Sequence, residues 1–182
     1  MRIRHAIPGD IPAIVAISAR VQAKLTASGS LQQFGPLPVE RVAAHVTAKT
    51  AYVLDSGAGH ILGGVFVAPA TSESHPVMRG WGLADHPGAT YFLEKLMIEP
   101  EEQGHSLGYL LLEGARSLVL AAPGDTIILD CWAGNDTLRA FYTRAGFHLH
   151  GIFPAGTPPG AFAVAVFTHC LEHAPNEREH GE

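Results

Sequence analysis

Leu96-Met97-Ile98-Glu99-Pro100-Glu101-Glu102-Gln103-Gly104-His105-Ser106-Leu107-Gly108 reads as the end of an apolar strand, a turn and the opening of a helix. Pro100 has no N–H for a strand ladder and closes the strand. Small residues at 104, 106 and 108 let a ligand approach the backbone closely. The first N–H groups of the helix that follows have no intrahelical partner, and with the positive end of the helix dipole they suit a pyrophosphate. An ordinary strand-to-helix connection has the same composition, so the turn alone leaves both readings open. No G-x-x-x-x-G-K-[ST] occurs, which argues against a P-loop nucleoside triphosphatase. No G-x-G-x-x-G with an acidic residue about 20 positions on occurs either, which argues against a dinucleotide fold.

On the C-terminal side, Leu107, Leu110, Leu111, Gly114, Ala115, Leu118 and Ala122 recur at helical spacing, and Pro123–Gly124 stops that helix. Thr126 to Cys131 is an apolar strand until Asp130. Asn135 or Asp136 caps a short helix that runs to about Ala145, with Gly146 ending it. Phe147 to Phe153 and Phe162 to His169 are the last two strands. On the N-terminal side, Tyr91 to Ile98 is a strand. Residues 69–88 form a long connection, expected to wall the acceptor site. Tyr52–Leu54 and Ile61–Ala68 form a hairpin across a glycine-rich turn. Ile3–Ala6 is a first strand, and helices start at Asp10 and after Pro38, the second with the stripe Val39, Val42, Ala43, Val46. The order predicts a mixed α/β fold with helices packed on one sheet.

The chain has 182 residues, 47% hydrophobic and 16% charged. This fits a single domain, residues 1–173, followed by a polar tail, 174–182. No basic stripe points to nucleic acid, and no apolar run reaches the ~18 residues that span a bilayer. Two cysteines indicate no disulfide framework, which places the protein in a reducing cytoplasm. The formal charge of −5 is compatible with a cationic acceptor such as an amine.

Two blocks carry a family resemblance. Gln103 to Gly108, after Leu96-Met97-Ile98, resembles the acyl-CoA motif Q/R-x-x-G-x-G/A of the GNAT superfamily, with Ser106 where the family usually has glycine. Asn135 to Phe147 resembles the later motif N-x-x-[AL]-x-x-[FL]-Y-x-x-x-G-F. With Ile3–Ala6 and Asp10, the likeness covers about residues 2–169. Gln32–Pro38 and Leu93–Leu96 are similar to a bacterial subgroup.

The resemblance implies a mostly antiparallel, twisted sheet of about seven strands flanked by about four helices. It also implies acetyl transfer from acetyl-CoA to a primary amine of a small molecule, amino acid or protein, by direct attack in a ternary complex. The acyl-CoA would be held by Leu96, Met97, Ile98, Gln103, Gly104, His105, Ser106, Leu107, Gly108, Asn135 and Tyr142. The backbone of Met97 and Ile98 would contact the pantetheine arm, and Tyr142 would lie near the thioester sulfur. Asn135 serves equally as a helix cap. A homodimer is the default assembly. A non-catalytic acyl-CoA sensor and a module for another phosphate ligand are the competing readings.

The chemistry needs a neutral amine. At pH 7, deprotonating a lysine-like amine costs roughly 4–5 kcal/mol. Tyr142 is the candidate proton donor to the leaving thiolate, with core packing as its alternative. Glu94 is the candidate base: by period two it shares a face with Phe92, Leu96 and Ile98, an apolar setting that raises a carboxyl pKa. A salt bridge to an arginine, or a water chain acting as base, are its alternatives. Phe34, Trp81 and Trp132 are candidates for the acceptor wall. Cys131 lacks a helper for covalent catalysis. The eleven histidines, including His148-x-His150 and His169-x-x-x-His173, lack the further ligands a zinc site requires, so no metal is expected.

Overall fold

The computed structural model describes residues 1–171 except 33, 58, 85–87, 122–124, 157 and 159. Ala122 at the end of the expected stripe, the helix stop at Pro123–Gly124, His173 and the tail 174–182 lie outside the described residues. The strands are β1 (Arg2–His5), β2 (Ala51–Asp55), β3 (Ile61–Pro69), β4 (Thr90–Ile98), β5 (Thr126–Trp132), β6 (His148–Ala155) and β7 (Phe162–Cys170). They form one sheet in the order β1-β2-β3-β4-β5-β7-β6. Every neighbouring pair is antiparallel except β4 and β5. The helices are α1 (Ile11–Ala27), α2 (Val39–Thr47), the single turn α3 (Val77–Gly80), α4 (Leu107–Val119) and α5 (Asp136–Arg144). Among the described residues no helix is long and apolar enough to cross a membrane.

Two apolar layers sandwich the sheet. Ile14, Ile17 and Val21 of α1 and Val42 and Val46 of α2 pack with Val53, Phe66 and Met97 on one face. Leu111, Leu112 and Ala115 of α4 and Tyr142 of α5 pack with Val65, Leu93, Leu129 and Phe167 on the other. The buried face of α4 differs from the expected stripe. Leu112 and Val119 are buried, while Leu110 and Leu118 are exposed. Leucines at 110, 111, 112 and 118 fit a helical period in more than one rotation, and the sheet decides which one is buried. The long connection 69–88 carries the single turn α3.

The parallel pair shapes the molecule. β4 and β5 are in register only at Thr90↔Thr126, Tyr91↔Ile127 and Phe92↔Ile128. β4 then continues to Ile98 and β5 to Trp132 without pairing to each other, so the sheet opens between them. The same stretch of β4 is bulged. Gly64 faces Met97, but Phe66 faces Glu94, leaving Lys95 and Leu96 opposite one residue. Lys95 takes the extra step with φ 57°, the usual backbone device of a bulge.

Candidate active site

A cleft of about 740 Å³ follows the opening from the turn after β4 to the far side of the sheet. Gln103, Gly104, Ser106, Leu107 and Gly108 line one end, Leu96 and Ile98 the strand edge, and Asn135 and Tyr142 the α5 side. Of the expected cofactor contacts, Met97 and His105 do not line it. Met97 is buried under α1, and exposed His105 turns its Nδ1 to the Glu102 carbonyl at 3.2 Å.

The turn is fastened from behind. Gln103 Nε2 donates to the Ile98 carbonyl at 3.2 Å, and its Oε1 accepts from Lys24 of α1 at 2.7 Å. Arg20 of α1 grips Glu99 through two hydrogen bonds, 2.7 and 2.6 Å. The Gln103 side chain is therefore occupied in holding the turn shape, which leaves backbone N–H groups to face a ligand. Gly104 has φ 93°, and a Cβ added there meets nothing within 4 Å. Ser106 lies in the left-handed region at φ 61°, ψ 10°, and its hydroxyl makes no cap hydrogen bond. A glycine is favoured at 106 because of that backbone angle, a constraint invisible in the turn's composition.

Tyr142 is 5% exposed and packs against Phe147 and Phe167, with ring centroids 6.0 and 5.8 Å away. The ring is part of the core, as the packing alternative expected, and the residue also lines the cleft. Burial, assisted by Cys131 and Asp130, pushes its hydroxyl pKa well above the usual range, so it stays protonated at neutral pH. Asn135 caps α5 by accepting from the Leu138 N–H at 3.0 Å. Its Nδ2 also donates to Gln32 Oε1 at 3.2 Å, drawing the α1–α2 loop to the cleft.

Glu94 is not the apolar carboxyl expected from strand period. The bulge at Lys95 reverses the alternation, so Glu94 shares its face with Met97 and not with Leu96 and Ile98. There α2 meets it: Arg41 Nη2 donates to Oε2 at 2.6 Å and His45 Nε2 stands 3.3 Å from Oε1. Burial opposes ionisation, but the hydrogen bonds from His45 and Arg41 and their charge outweigh it. The pKa falls to about 2, the reverse of the expected rise. Glu94 lines the cleft as a fixed negative charge, a weak base at neutral pH.

Lys95 and Asp130 are charged residues of the cleft that sequence reasoning did not single out, as are Glu102 and Arg144 at its margins. Lys95 donates to the Phe34 carbonyl at 2.9 Å and lies over the Phe34 ring at 5.1 Å. Burial, with Arg41 nearby, lowers its pKa. Asp130 projects from β5, and its carboxyl pKa is raised by burial first and by Glu94 second, with Lys95 opposing. Its signal was present in the sequence, as a lone carboxylate in the apolar run Thr126–Cys131. Phe34 and Trp132 line the cleft. Trp81 instead stacks on Phe92 and lies tilted against Phe153 in a separate cluster. The Cys131 thiol is pushed up to about 11, mainly by burial and then by Asp130, which is unfavourable for a nucleophile. Among the described residues no group of three or more His, Cys, Asp or Glu stands together to hold a metal.

A mixed sheet opening between two parallel strands, with a glycine turn and helix start at the mouth, defines the class: an α/β protein of N-acetyltransferase fold. Residues 35–147 match the sequence profile of the acetyltransferase (GNAT) family, and the chain belongs to that family of enzymes. No curated protein sequence matches the chain significantly. Among solved structures, a GNAT-family acetyltransferase from Listeria monocytogenes superposes with a TM-score of 0.70 at 23% identity, covering 93% of this chain and 94% of its own. A phosphinothricin acetyltransferase from Sinorhizobium meliloti, in complex with AcCoA, superposes at 0.67 with 15% identity, covering 97% and 91%. GphF, a GNAT-like decarboxylase in complex with isobutyryl-CoA, superposes at 0.64 with 23% identity, covering 94% and 100%. At these identities the likeness establishes the fold.

Proposed function

We propose that the protein transfers an acetyl group from acetyl-CoA to a primary amine in a ternary complex, as a single-domain cytoplasmic enzyme. The observation that carries this reading is the continuity of one cleft from the turn Gln103–Gly108, past the unpaired edge of β4, to Tyr142. The pyrophosphate sits at the start of α4, where N–H groups lack intrahelical partners. The pantetheine arm runs along Leu96–Ile98, whose edge β5 leaves unpaired, so backbone groups there are available to bind it and polarise the thioester carbonyl. Asn135 stands beside that path.

The amine comes from the other face of the sheet, between Glu94 and Asp130. C–N bond formation expels the CoA sulfur, and Tyr142, held protonated by its burial, supplies the proton that the thiolate takes. An acyl-CoA sensor would have no use for carboxylates on the far side of the opening, which is why the catalytic reading is preferred. The test is steady-state thiol release from acetyl-CoA with a panel of alkylamines, amino acids and peptides. Amine-dependent release supports the reading. Tight acetyl-CoA binding with no release by any amine would favour the sensor.

A further inference from the structure

We propose that Asp130 accepts the proton that the acceptor amine must lose before it attacks the thioester; this rests on the acetyl-transfer reading above. Asp130 lies two residues beyond Ile128, the last β5 residue in register with β4. Strand alternation therefore places it on the same sheet face as Ile128, Phe92 and Glu94. That is the face opposite Tyr142, so donor-side and acceptor-side groups flank one opening, and both Asp130 and Tyr142 line the same cleft.

The other carboxylates with little exposure near the sheet are satisfied. Asp10 and Asp55 share Arg4, Glu94 has Arg41 and His45, and Glu99 has Arg20. Asp130 has neither a salt bridge nor a side-chain hydrogen bond to another described residue. Asp130 is half-buried and lines the cleft. An ionised carboxylate in an apolar strand costs stability unless it is paired, and here the pairing position opens on the cleft.

The charged and titratable groups around it are Glu94 and Lys95 from β4, Cys131 on its own strand and Tyr142 from α5. Lys95 is committed to the Phe34 carbonyl and ring. Glu94 stays ionised and is committed to Arg41 and His45. Asp130 is the more basic of the two, because burial and Glu94 both favour its protonated form.

The step balances. The ammonium gives one proton to the Asp130 carboxylate and becomes a neutral amine. The nitrogen lone pair forms the C–N bond, the C–S bond breaks, and its electrons leave on sulfur. The second nitrogen proton is released as the amide forms, and the sulfur ends protonated as the CoA thiol. Asp130 returns its proton to solvent.

The test compares wild type, Asp130→Asn and Asp130→Ala. Each is titrated calorimetrically with acetyl-CoA. Each is then assayed for kcat/KM across pH with the amine that wild type acetylates fastest among alkylamines, amino acids and peptides. Both variants are expected to bind acetyl-CoA like wild type, to unfold no lower in temperature for Asp130→Asn, and to lose about a hundredfold in kcat/KM at pH 7. Their rate should climb about tenfold per pH unit toward the pKa of the free amine, because only the neutral amine then reacts. A purely structural role would lower stability or binding and leave the shape of the pH profile unchanged. Wild-type rate and an intact acid limb in both variants overturn the assignment of Asp130. Absence of turnover with every amine in wild type overturns the acetyl-transfer reading itself.

Discussion

Replacing Ser106 by glycine is expected to stabilise the protein without harming cofactor binding. Ser106 has φ 61° and ψ 10°, a conformation that costs an L-residue about 1–2 kcal/mol. A glycine there escapes that cost but loses roughly 0.5–1 kcal/mol through the freedom of its unfolded chain. The hydroxyl makes no cap hydrogen bond, so its removal loses none. The Ser106 carbonyl, which accepts from the Leu110 N–H at 3.1 Å, is unchanged. The net gain is about 0.5–1 kcal/mol, or about 1–4 °C in Tm for a chain of this size. Ser106→Ala keeps a Cβ in the left-handed region and serves as the control, with a Tm near wild type. Urea and thermal unfolding of the three proteins give the stability, and calorimetric titration with acetyl-CoA gives the affinity. A Ser106→Gly protein no more stable than Ser106→Ala would refute the backbone argument. A large loss of acetyl-CoA affinity in Ser106→Gly would refute the view that the turn acts through its N–H groups and not its side chain.

Tyr142→Phe keeps the ring packed on Phe147 and Phe167, so acetyl-CoA affinity should hold while kcat falls about a hundredfold; an unchanged kcat removes Tyr142 from the chemistry. Gly104→Val places a branched side chain at φ 93° beside the cofactor path, and should weaken acetyl-CoA binding about tenfold or more; undiminished affinity in the folded variant would put the cofactor elsewhere. Arg4→Met strips the shared partner from Asp10 and Asp55. Asp55 is held at about 2, below the ordinary 3.8, by the Gly57 N–H first and by Arg4 second. A lowered carboxyl pKa contributes stability above the unfolded value that is lost as pH falls through the folded one. The Tm deficit of Arg4→Met should therefore be present at pH 7 and shrink between about pH 4 and 2; a deficit independent of pH would mean that Arg4 acts by packing.

The succession of strands and helices was legible because each segment carries its own pattern and stop: apolar runs in β2 and β3 on either side of a glycine-rich turn, Pro38 before α2, Gly146 after α5. The glycine turn and the block Asn135–Phe147 were legible because their chemistry sits in contiguous residues. What escaped was decided between elements. Tyr91-Phe92-Leu93-Glu94-Lys95-Leu96 contains no glycine or proline to announce a bulge, and the bulge arises from pairing two residues of β4 against one of β3. That one backbone step moved Glu94 to Arg41 and His45, distant in sequence, and reversed the direction of its pKa. Asp130 was visible as an anomaly in an apolar strand. Its meaning depended on where β5 parts from β4, which no local pattern records. Leu110 and Leu118 were assigned to the core by a period that Leu112 and Val119 satisfy as well.

The most direct test of the central claim is calorimetric titration of the wild-type protein with acetyl-CoA, with ATP and NAD as controls. The cleft from Gln103 to Tyr142 predicts selective binding of acetyl-CoA with a Kd on the order of micromolar and little heat from the other two. Equal binding of ATP, or no binding of acetyl-CoA, would contradict the assignment of this cleft as an acyl-CoA site.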